Sequence, residues 1–362
     1  MLPEGHGLHP GHGKLRGFIR FFNLSTGAFV RVQLPLFKDH CVLDSIDGIL
    51  LLQRDHDTAI RLLHPFTGDI LDFPPLETLL RYVNPEFISA ASINVSEDEI
   101  VSLIILGSPG MLQAAYANSG DLQRRVSSWY LKQIFSPLSF QGKLYVVRDC
   151  GGFTGPEVIL IDPPELHGTE PWVPPPRSIA KCPVSAQNEP GLYYLVEWGS
   201  EILVVATRIG FRHSKLSVHR LSDLVLGKNS VLMTCIDGDA LFIGLRNLCV
   251  SSKVFPTIVG DTIVFYHAKE YYVAQYHLGS GAFLPASDVS ISGFAIPSPC
   301  SIIYHIYTCC YRQQWNKGQI RFQGEMKEWR VKRKWRIGVS LASYAMILVY
   351  AVFIYLCLPI IH

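Results

Sequence analysis

The sequence has few charged residues and almost no excess of either sign. Asp, Glu, Lys and Arg make up 17% of its 362 residues, and the formal net charge at pH 7 is +2. The chain therefore has no strongly basic field, and its aromatic residues do not alternate with a basic stripe. We expect no nucleic-acid partner.

The sequence also lacks the cysteine patterns of metal and redox sites. Its nine cysteines form no CxxC pair and no Cys/His zinc spacing. Residues 1–17 contain no apolar stretch of the kind found in a secretory leader. These absences predict reduced thiols in a cytosolic domain, behind a flexible N-terminal segment of residues 1–17.

Local catalytic motifs are missing as well. The sequence contains no GxSxG elbow, glycine-rich phosphate loop, HExxH pair or EF-hand loop. The nearest acid/base cluster is RDHDT, residues 54–58, which follows an apolar strand and is interpreted as a polar hairpin tip. We therefore expect no catalytic residue, no cofactor and no metal ligand, and we predict that the chain is not an enzyme.

Strand and turn signals dominate what remains. The chain is 48% hydrophobic with 29 Gly and 23 Pro, a composition that favours many short elements. Only residues 120–135, GDLQRRVSSWYLKQIF, suggest a short helix. Residues 162–176, DPPELHGTEPWVPPP, are interpreted as an extended connection between blades, with a proline-rich ligand for a partner domain as the alternative.

Two turn phrases recur along the chain. In the first, a strand is followed by a glycine turn and a second apolar strand, as in CVLDSIDGILLLQRD. In the second, a side chain able to bond the backbone precedes Ser or Thr at the fourth position and Gly at the fifth. These phrases supply the candidate structural turn residues Asn23, Gly27, Gly48, His64, Gly68, Gly142, Gly238, Gly260 and Gly281.

The spacing of these phrases predicts a repeated unit. Gly27 and Gly68 are 41 residues apart, and Gly68 and Gly281 are 213 apart, close to five such steps. A period of 40 to 50 residues with several short strands is typical of an all-β propeller built from antiparallel blades. An array of β-sandwiches remains open at this point, and His64 is interpreted as a turn residue, not a metal ligand.

The C-terminal segment differs from the rest. Residues Ile337 to Ile361 run for 25 residues without a charge, enough for a helix to cross a hydrocarbon core of about 30 Å. A basic cluster precedes them and predicts that the preceding residues stay in the cytosol. We therefore expect a single-pass C-terminal anchor in membrane lipid, in an organelle left open, flanked by Arg330, Lys332, Arg333, Lys334 and Arg336.

Several of these stretches together resemble a known family. RFFNLSTGAFVRVQLPL, DGILLLQRD, RLLHPFTGDILDFPPL, LSFQGKLYVV and FPTIVGDTIVF resemble the plant F-box-associated KIB-type β-propeller proteins, over about residues 15 to 290. The resemblance implies a propeller that recognises a protein client. It also implies an N-terminal F-box that docks a Skp-type adaptor of a cullin ubiquitin ligase, so that a member of the family with an F-box would be a substrate receptor.

This sequence departs from that plan. The 22 residues before Asn23 contain no Leu/Pro-rich F-box, so we expect no Skp-type adaptor and interpret the chain as truncated. The predicted organisation is a propeller over 18–296, a basic connector over 297–336 and a transmembrane helix over 337–361. The predicted function is non-enzymatic recognition of a protein client. The alternatives are a propeller enzyme or small-ligand protein with a site in its central channel, and an inert paralogue.

The first prediction concerns the C-terminal segment. Deleting residues 337–362 from a fluorescent fusion should move the protein out of the membrane fraction, because the uncharged stretch supplies the apolar area for insertion. Fractionation of cells that express the fusion measures this. The paired substitution Leu348→Arg and Val352→Arg should act like the deletion, whereas Leu348→Ile should leave the distribution unchanged. Retention of the deleted form would contradict the anchor.

Overall fold

The structure is a computed structural model that describes only part of the chain. The described residues are 2–3, 18–23, 28–46, 48–54, 59–79, 87–95, 100–108, 111–149, 155–167, 170–183, 191–208, 216–228, 231–255, 258–267, 272–285, 303, 306 and 310. Backbone contacts divide the chain into two units, Met1–Gln323 and Gly324–His362, and the second unit lies outside the described residues.

The described residues form short strands with few helical turns. An N-terminal sheet precedes five successive sheets, which are called blades 1 to 5. The N-terminal sheet contains β1 (Leu2–Pro3), β2 (Phe18–Phe22) and β3 (Phe29–Gln33). Two 3₁₀ turns flank blade 1, at Pro35–Lys38 and Leu76–Leu79. Blade 1 contains β4 (His40–Ile46), β5 (Ile49–Arg54), β6 (Ile60–Leu63) and β7 (Ile70–Phe73).

Blades 2 and 3 repeat the same up-and-down order of four antiparallel strands. Blade 2 contains β8 (Phe87–Val95), β9 (Ile100–Ser108), β10 (Met111–Asn118) and β11 (Arg125–Val126). Blade 3 begins with β12 (Ile134–Phe140), β13 (Lys143–Arg148) and β14 (Glu157–Ile161). A separate hairpin of β15 (Glu165–His167) and β16 (Glu170–Trp172) follows. The fourth strand of blade 3 is β17 (Arg177–Lys181).

Blades 4 and 5 vary this plan. Blade 4 has three strands and a short helix: β18 (Gly191–Trp198), β19 (Glu201–Arg208), β20 (Leu216–Arg220) and α1 (Leu221–Val225). Blade 5 contains β21 (Asp239–Phe242), β22 (Leu248–Ser251), β23 (Thr262–His267), β24 (Tyr272–His277) and β25 (Phe283–Pro285). In blade 5, β21 pairs in parallel with β23, so an additional strand lies between β22 and β23.

Each blade packs its two faces against different neighbours. In β9, Leu103 and Ile105 belong to the core shared with blade 3, whereas Ile104 and Leu106 belong to the core shared with blade 1. Successive side chains of a strand point to opposite faces, so a strand buried on both faces must be apolar throughout. This explains the unbroken apolar run LIIL in the middle of β9.

One strand of each blade contacts one strand of the next blade. These strands follow one another in the order β4, β8, β12, β18 and β22. Arg246, just before β22, donates from Nη2 to the carbonyl oxygen of Leu43 in β4 at 2.6 Å, and so links blade 5 back to blade 1. Antiparallel blades in this succession confirm the prediction of an all-β, propeller-like fold.

The second turn phrase has the same geometry in two blades. The backbone N–H of His64 donates to the Asp69 carbonyl at 2.9 Å, and that of His277 donates to the Ala282 carbonyl at 2.9 Å. Each imidazole Nδ1 accepts the N–H three residues later, from Thr67 and from Ser280, at 3.1 Å. The histidines therefore stabilise turns in separate blades. Asn23 makes the matching backbone bond to Ala28 at 2.9 Å, while Gly27 lies outside the described residues.

The predicted turn glycines do not all have the same backbone conformation. Positive φ angles occur at Gly48, Gly68, Gly142, Gly238 and Gly281. The remaining described turn glycine, Gly260, does not have a positive φ. The residue after it, Asp261, does, at +54°. A Cβ atom at Gly260 would lie 2.9 Å from the carbonyl oxygen of Gly238, so this glycine is required for the close approach of two turns.

Three expectations from the sequence were wrong. Residues 120–135 contain no helix and instead form a turn, β11 and a bridge between Leu112 and Leu131. In their midst Arg124 is buried between blades 1 and 2, where it donates to the Pro74 carbonyl and to Ser102 Oγ, each at 3.0 Å. Arg124 thus bonds residues of two neighbouring blades.

The stretch 162–176 is not a connection between blades. It contains the hairpin β15–β16 and joins β14 to β17 within blade 3. Gly68 and Gly281 lie in blades 1 and 5, so their 213-residue separation spans four blade steps, not five. The hairpin in blade 3 and the additional strand in blade 5 lengthen those repeats.

Among the described residues no helix is both long enough and apolar enough to cross a membrane. The predicted anchor at 337–361 and the basic cluster at 330–336 lie outside those residues, as do residues 55–58 of the RDHDT cluster. Their assignments stay predictions.

The second prediction concerns Gly68. Its φ is +81° and the space around its missing Cβ is open, so substitution strains the backbone and causes no clash. We expect Gly68→Val to lower the free energy of unfolding by about 2 kcal/mol, because a β-branched residue is disfavoured in the left-handed region. His64→Asn should be nearly silent, since an Asn side chain can accept the same backbone N–H.

Thermal unfolding of the full chain measures both substitutions. Gly120→Val is the matched control, because Gly120 also lies in an exposed turn with open space but without a positive φ. Equal destabilisation by Gly68→Val and Gly120→Val would show that the backbone conformation is not the cause.

Candidate functional site

Polar groups near the neighbouring strands β12, β18 and β22 of blades 3, 4 and 5 are bonded to one another. The side-chain amide of Asn247 donates to Ser136 Oγ and to the Leu195 carbonyl, each at 2.9 Å, and so connects blades 3, 4 and 5. Its oxygen accepts the N–H of Gly244 at 3.0 Å. Ser136 Oγ also accepts the N–H of Leu195 at 2.7 Å. This axial cluster holds the blades in register and presents no carboxylate.

An Asp–His pair that the sequence analysis overlooked lies at the start of blade 1. Nδ1 of His40 is 2.7 Å from Asp39 Oδ1 and 2.8 Å from the Leu36 carbonyl oxygen. Because both of these oxygens are hydrogen-bond acceptors, the proton is placed on Nδ1. Nε2 then carries the lone pair, and it faces Arg61 Nη1 at 3.4 Å. His40 is fully buried. A general base needs an accessible lone pair, and this one is directed at a cation.

Burial suppresses the reactivity of Cys249, one of the described cysteines. Burial, with a contribution from Asp239, raises the pKa of Cys249 to about 12, so this thiol stays protonated near neutral pH. Burial also raises the pKa of Tyr194 to about 12. No cluster of His, Cys, Asp and Glu suited to a metal ion occurs in the part of the chain that the structure describes.

The candidate binding site is a groove between blades 3 and 4, here called the α1 groove. It has a volume of about 410 Å³ and opens to solvent. Its lining is mostly apolar and consists of Phe140, Tyr145, Ile179, Glu201, Ile202, Leu221, Ser222, Val225 and Leu226. The groove therefore offers hydrophobic contact far more than hydrogen bonding.

Helix α1 forms one wall of the groove and leaves apolar side chains at the surface. Leu221 and Leu224 are buried in the core that blades 3 and 4 share. Val225 and Leu226 remain 52% and 68% exposed. A helix that only capped the core would place polar residues at these positions. The exposed pair makes α1 the wall on which a partner could bury apolar surface.

Two polar groups of the groove wall bond internally. Glu201 accepts the backbone N–H of Ile202 at 3.0 Å and the hydroxyl of Ser222. On the opposite wall burial raises the pKa of Tyr145, which lies near the charges of Lys143, Asp162 and Arg177. Neither wall presents a pair of titratable groups arranged for proton transfer. The arrangement is suited to binding and offers no evident acid/base chemistry.

The sequence-predicted turn residues mostly lie away from this groove. Gly142 forms the turn between β12 and β13, whose flanking residues Phe140 and Tyr145 line the groove. Gly48 and Gly68 lie in blade 1, and Gly238 and Gly281 lie in blade 5. The one local signal for the groove was the apolar excess in LSDLVL, residues 221–226, which is too short for a periodicity argument.

Comparison with known proteins gives a family match and a distant structural similarity. Residues 21–287 match the family described as KIB1-4 beta-propeller. No curated protein matches the chain. The crystal structure of a GH43_1 enzyme from Xanthomonas citri is 11% identical, covers 70% of this chain and 93% of its own, and has a TM-score of 0.29. A similarity this low supports no statement about function.

The third prediction concerns the axial cluster. Asn247→Asp should lower the free energy of unfolding by about 2 kcal/mol, because a carboxylate replaces the amide that donates to the Leu195 carbonyl and leaves that oxygen unpaired. Chemical denaturation of the full chain measures the change. Gln123→Glu makes the same chemical exchange at an exposed position and should be neutral. A neutral Asn247→Asp would show that the cluster does not hold the blades together.

Proposed function

The chain belongs to the KIB1-4 beta-propeller family, and from this premise we propose that it is a protein-recognition module without catalytic activity. The partner binds at the α1 groove. The observation that carries the proposal is the exposed apolar pair Val225 and Leu226 on a wall of a mostly apolar groove. Apolar side chains gathered in one groove, unlike single ones scattered over a surface, are typical of interaction sites.

The openness of the groove favours a protein partner over a small molecule. Small-molecule sites enclose most of their ligand and direct a few polar groups at it. In the α1 groove the polar groups Glu201 and Ser222 are bonded to the chain itself, and the apolar side chains face solvent. When an apolar surface of a partner covers such a surface, apolar area is removed from water and the free energy falls.

Two observations support the absence of catalysis in this proposal. The polar side chains of the axial cluster are engaged with one another, and the lone pair of His40 faces Arg61. A propeller enzyme with a central site needs carboxylates or imidazoles that converge where a substrate can reach them. The Asn247 amide, the Ser136 hydroxyl and the His40 imidazole are instead bonded within the fold.

The proposal includes attachment to a membrane. Its support is the run of 25 uncharged residues from Ile337 to Ile361, with five basic residues just before it. A span after the propeller with its positive residues on the propeller side would keep the α1 groove in the cytosol.

The fourth prediction tests recognition at the α1 groove. The full chain is expressed in plant cells with an affinity tag, and captured proteins are quantified against the double variant Val225→Gln and Leu226→Gln. Each half-exposed side chain should contribute about 1 kcal/mol when a partner covers it, so a true client should decrease about tenfold or more in the variant. The substitutions are at exposed positions, so the fold should be retained.

Leu122→Gln is the matched control. Leu122 is 92% exposed on blade 2 and does not line the groove, so its substitution should leave the captured proteins unchanged. Thermal unfolding of all variants checks that their stabilities are equal. If no protein depends on Val225 and Leu226, or if Leu122→Gln has the same effect, recognition at this groove is ruled out.

A further inference from the structure

The two walls of the α1 groove differ in charge. At the edge of the blade 3 wall, next to the lining residue Tyr145, Asp162 pairs with both Lys143 and Arg177, each at 3.0 Å. Partial burial would raise the pKa of Asp162, but hydrogen bonds from Arg177 and Lys143 outweigh it and lower the pKa, so this carboxylate stays ionised. One carboxylate thus faces two cations, and this cluster at the edge of the blade 3 wall carries one excess positive charge.

The blade 4 wall has the opposite sign. Glu201 lines the groove and accepts the backbone N–H of Ile202 and the hydroxyl of Ser222, neither of which carries a charge. The neighbouring carboxylate of Asp223 is 3.8 Å from Lys228 Nζ, so those two charges offset each other. The blade 4 wall therefore carries one excess negative charge. Apolar side chains occupy the space between the two walls.

We propose that the α1 groove binds a short segment of a partner protein in which apolar side chains lie between one acidic and one basic residue. The acidic residue of that segment faces Lys143 and Arg177, and the basic residue faces Glu201. This inference rests on the proposed function and adds the chemistry of the partner to it.

The exposure of the charged groups fits this occupant. The side chains of Lys143 and Arg177 are 41% and 59% exposed even while they bond Asp162. They keep N–H groups that a second carboxylate can reach, since Lys has three donors and Arg five. A volume of about 410 Å³ accommodates a few side chains and not a folded domain. Opposite charges on the two walls fix the direction in which the segment lies, since reversal would set like charges together.

A random dodecapeptide library displayed on phage tests the proposal. It is panned on the full chain in detergent, and the enriched peptides are synthesised with a fluorescent label for anisotropy titration. We expect enriched peptides to share an apolar pair with an acidic residue on one side and a basic residue on the other. Glu201→Gln should weaken their binding about threefold, as expected for an exposed ion pair.

Charge reversal gives the sharper readout. Lys143→Glu should shift the enriched peptides from an acidic to a basic residue at the corresponding position, and Glu201→Lys should shift the other position from basic to acidic. Glu201→Lys removes the oxygen that accepts the Ile202 N–H, so this variant can fail to fold. Glu201→Gln keeps a side-chain oxygen there and still tests the charge in that case. Lys132→Glu is the control and should leave the peptide preference unchanged, because Lys132 is exposed and, unlike Lys143, is not among the charged neighbours of the lining residue Tyr145.

The results separate this inference from the proposed function. A client that is lost with Val225→Gln and Leu226→Gln but unaffected at Lys143 and Glu201 would overturn the charge pattern and leave recognition intact. No enrichment of any peptide would also overturn it. Groove-dependent binding of phosphatidylserine vesicles, or self-association of the chain that the groove substitutions abolish, would assign the groove to another occupant and overturn it as well.

Discussion

The burial of both faces of every blade is the constraint on which the rest of the structure depends. A sheet with one solvated face can alternate apolar and polar residues, but a blade between two others cannot. The run Leu103 to Leu106 satisfies this requirement by dividing its side chains between blade 1 and blade 3. Such strands are too apolar to be stable alone, so the blades can only fold as a set.

The faces at the two ends of the series need separate cover. The outer face of blade 1 packs against Phe21, Leu34 and Phe37 from the N-terminal sheet and the turn after it. The outer face of blade 5 packs against Ile303, Ile306 and Cys310. Arg246 then joins the two end blades through the Leu43 carbonyl. Segments on either side of the five blades thus protect apolar faces that would otherwise be exposed.

Elements that depend on local chemistry were predictable from the sequence, and elements that depend on distant contacts were not. A glycine with a positive φ and an imidazole that accepts a nearby N–H act within five residues, so the turns around Gly68 and His277 could be anticipated. Arg124 is different, because its partners at Pro74 and Ser102 are 50 and 22 residues away. The α1 groove is formed by residues from 140 to 226, and no local pattern connects its walls.

The groove arises where α1 follows β20 of blade 4. The helix contacts β17, β19 and β20 and buries Leu221 and Leu224 against blade 3. A helix of five residues has room for one buried face, and two leucines three residues apart already fill it. Val225 and Leu226 therefore exceed what the core can bury, and the isolated protein leaves them in water. Polar residues there would serve the fold equally well, and for this reason the pair carries the proposal of a partner at the α1 groove.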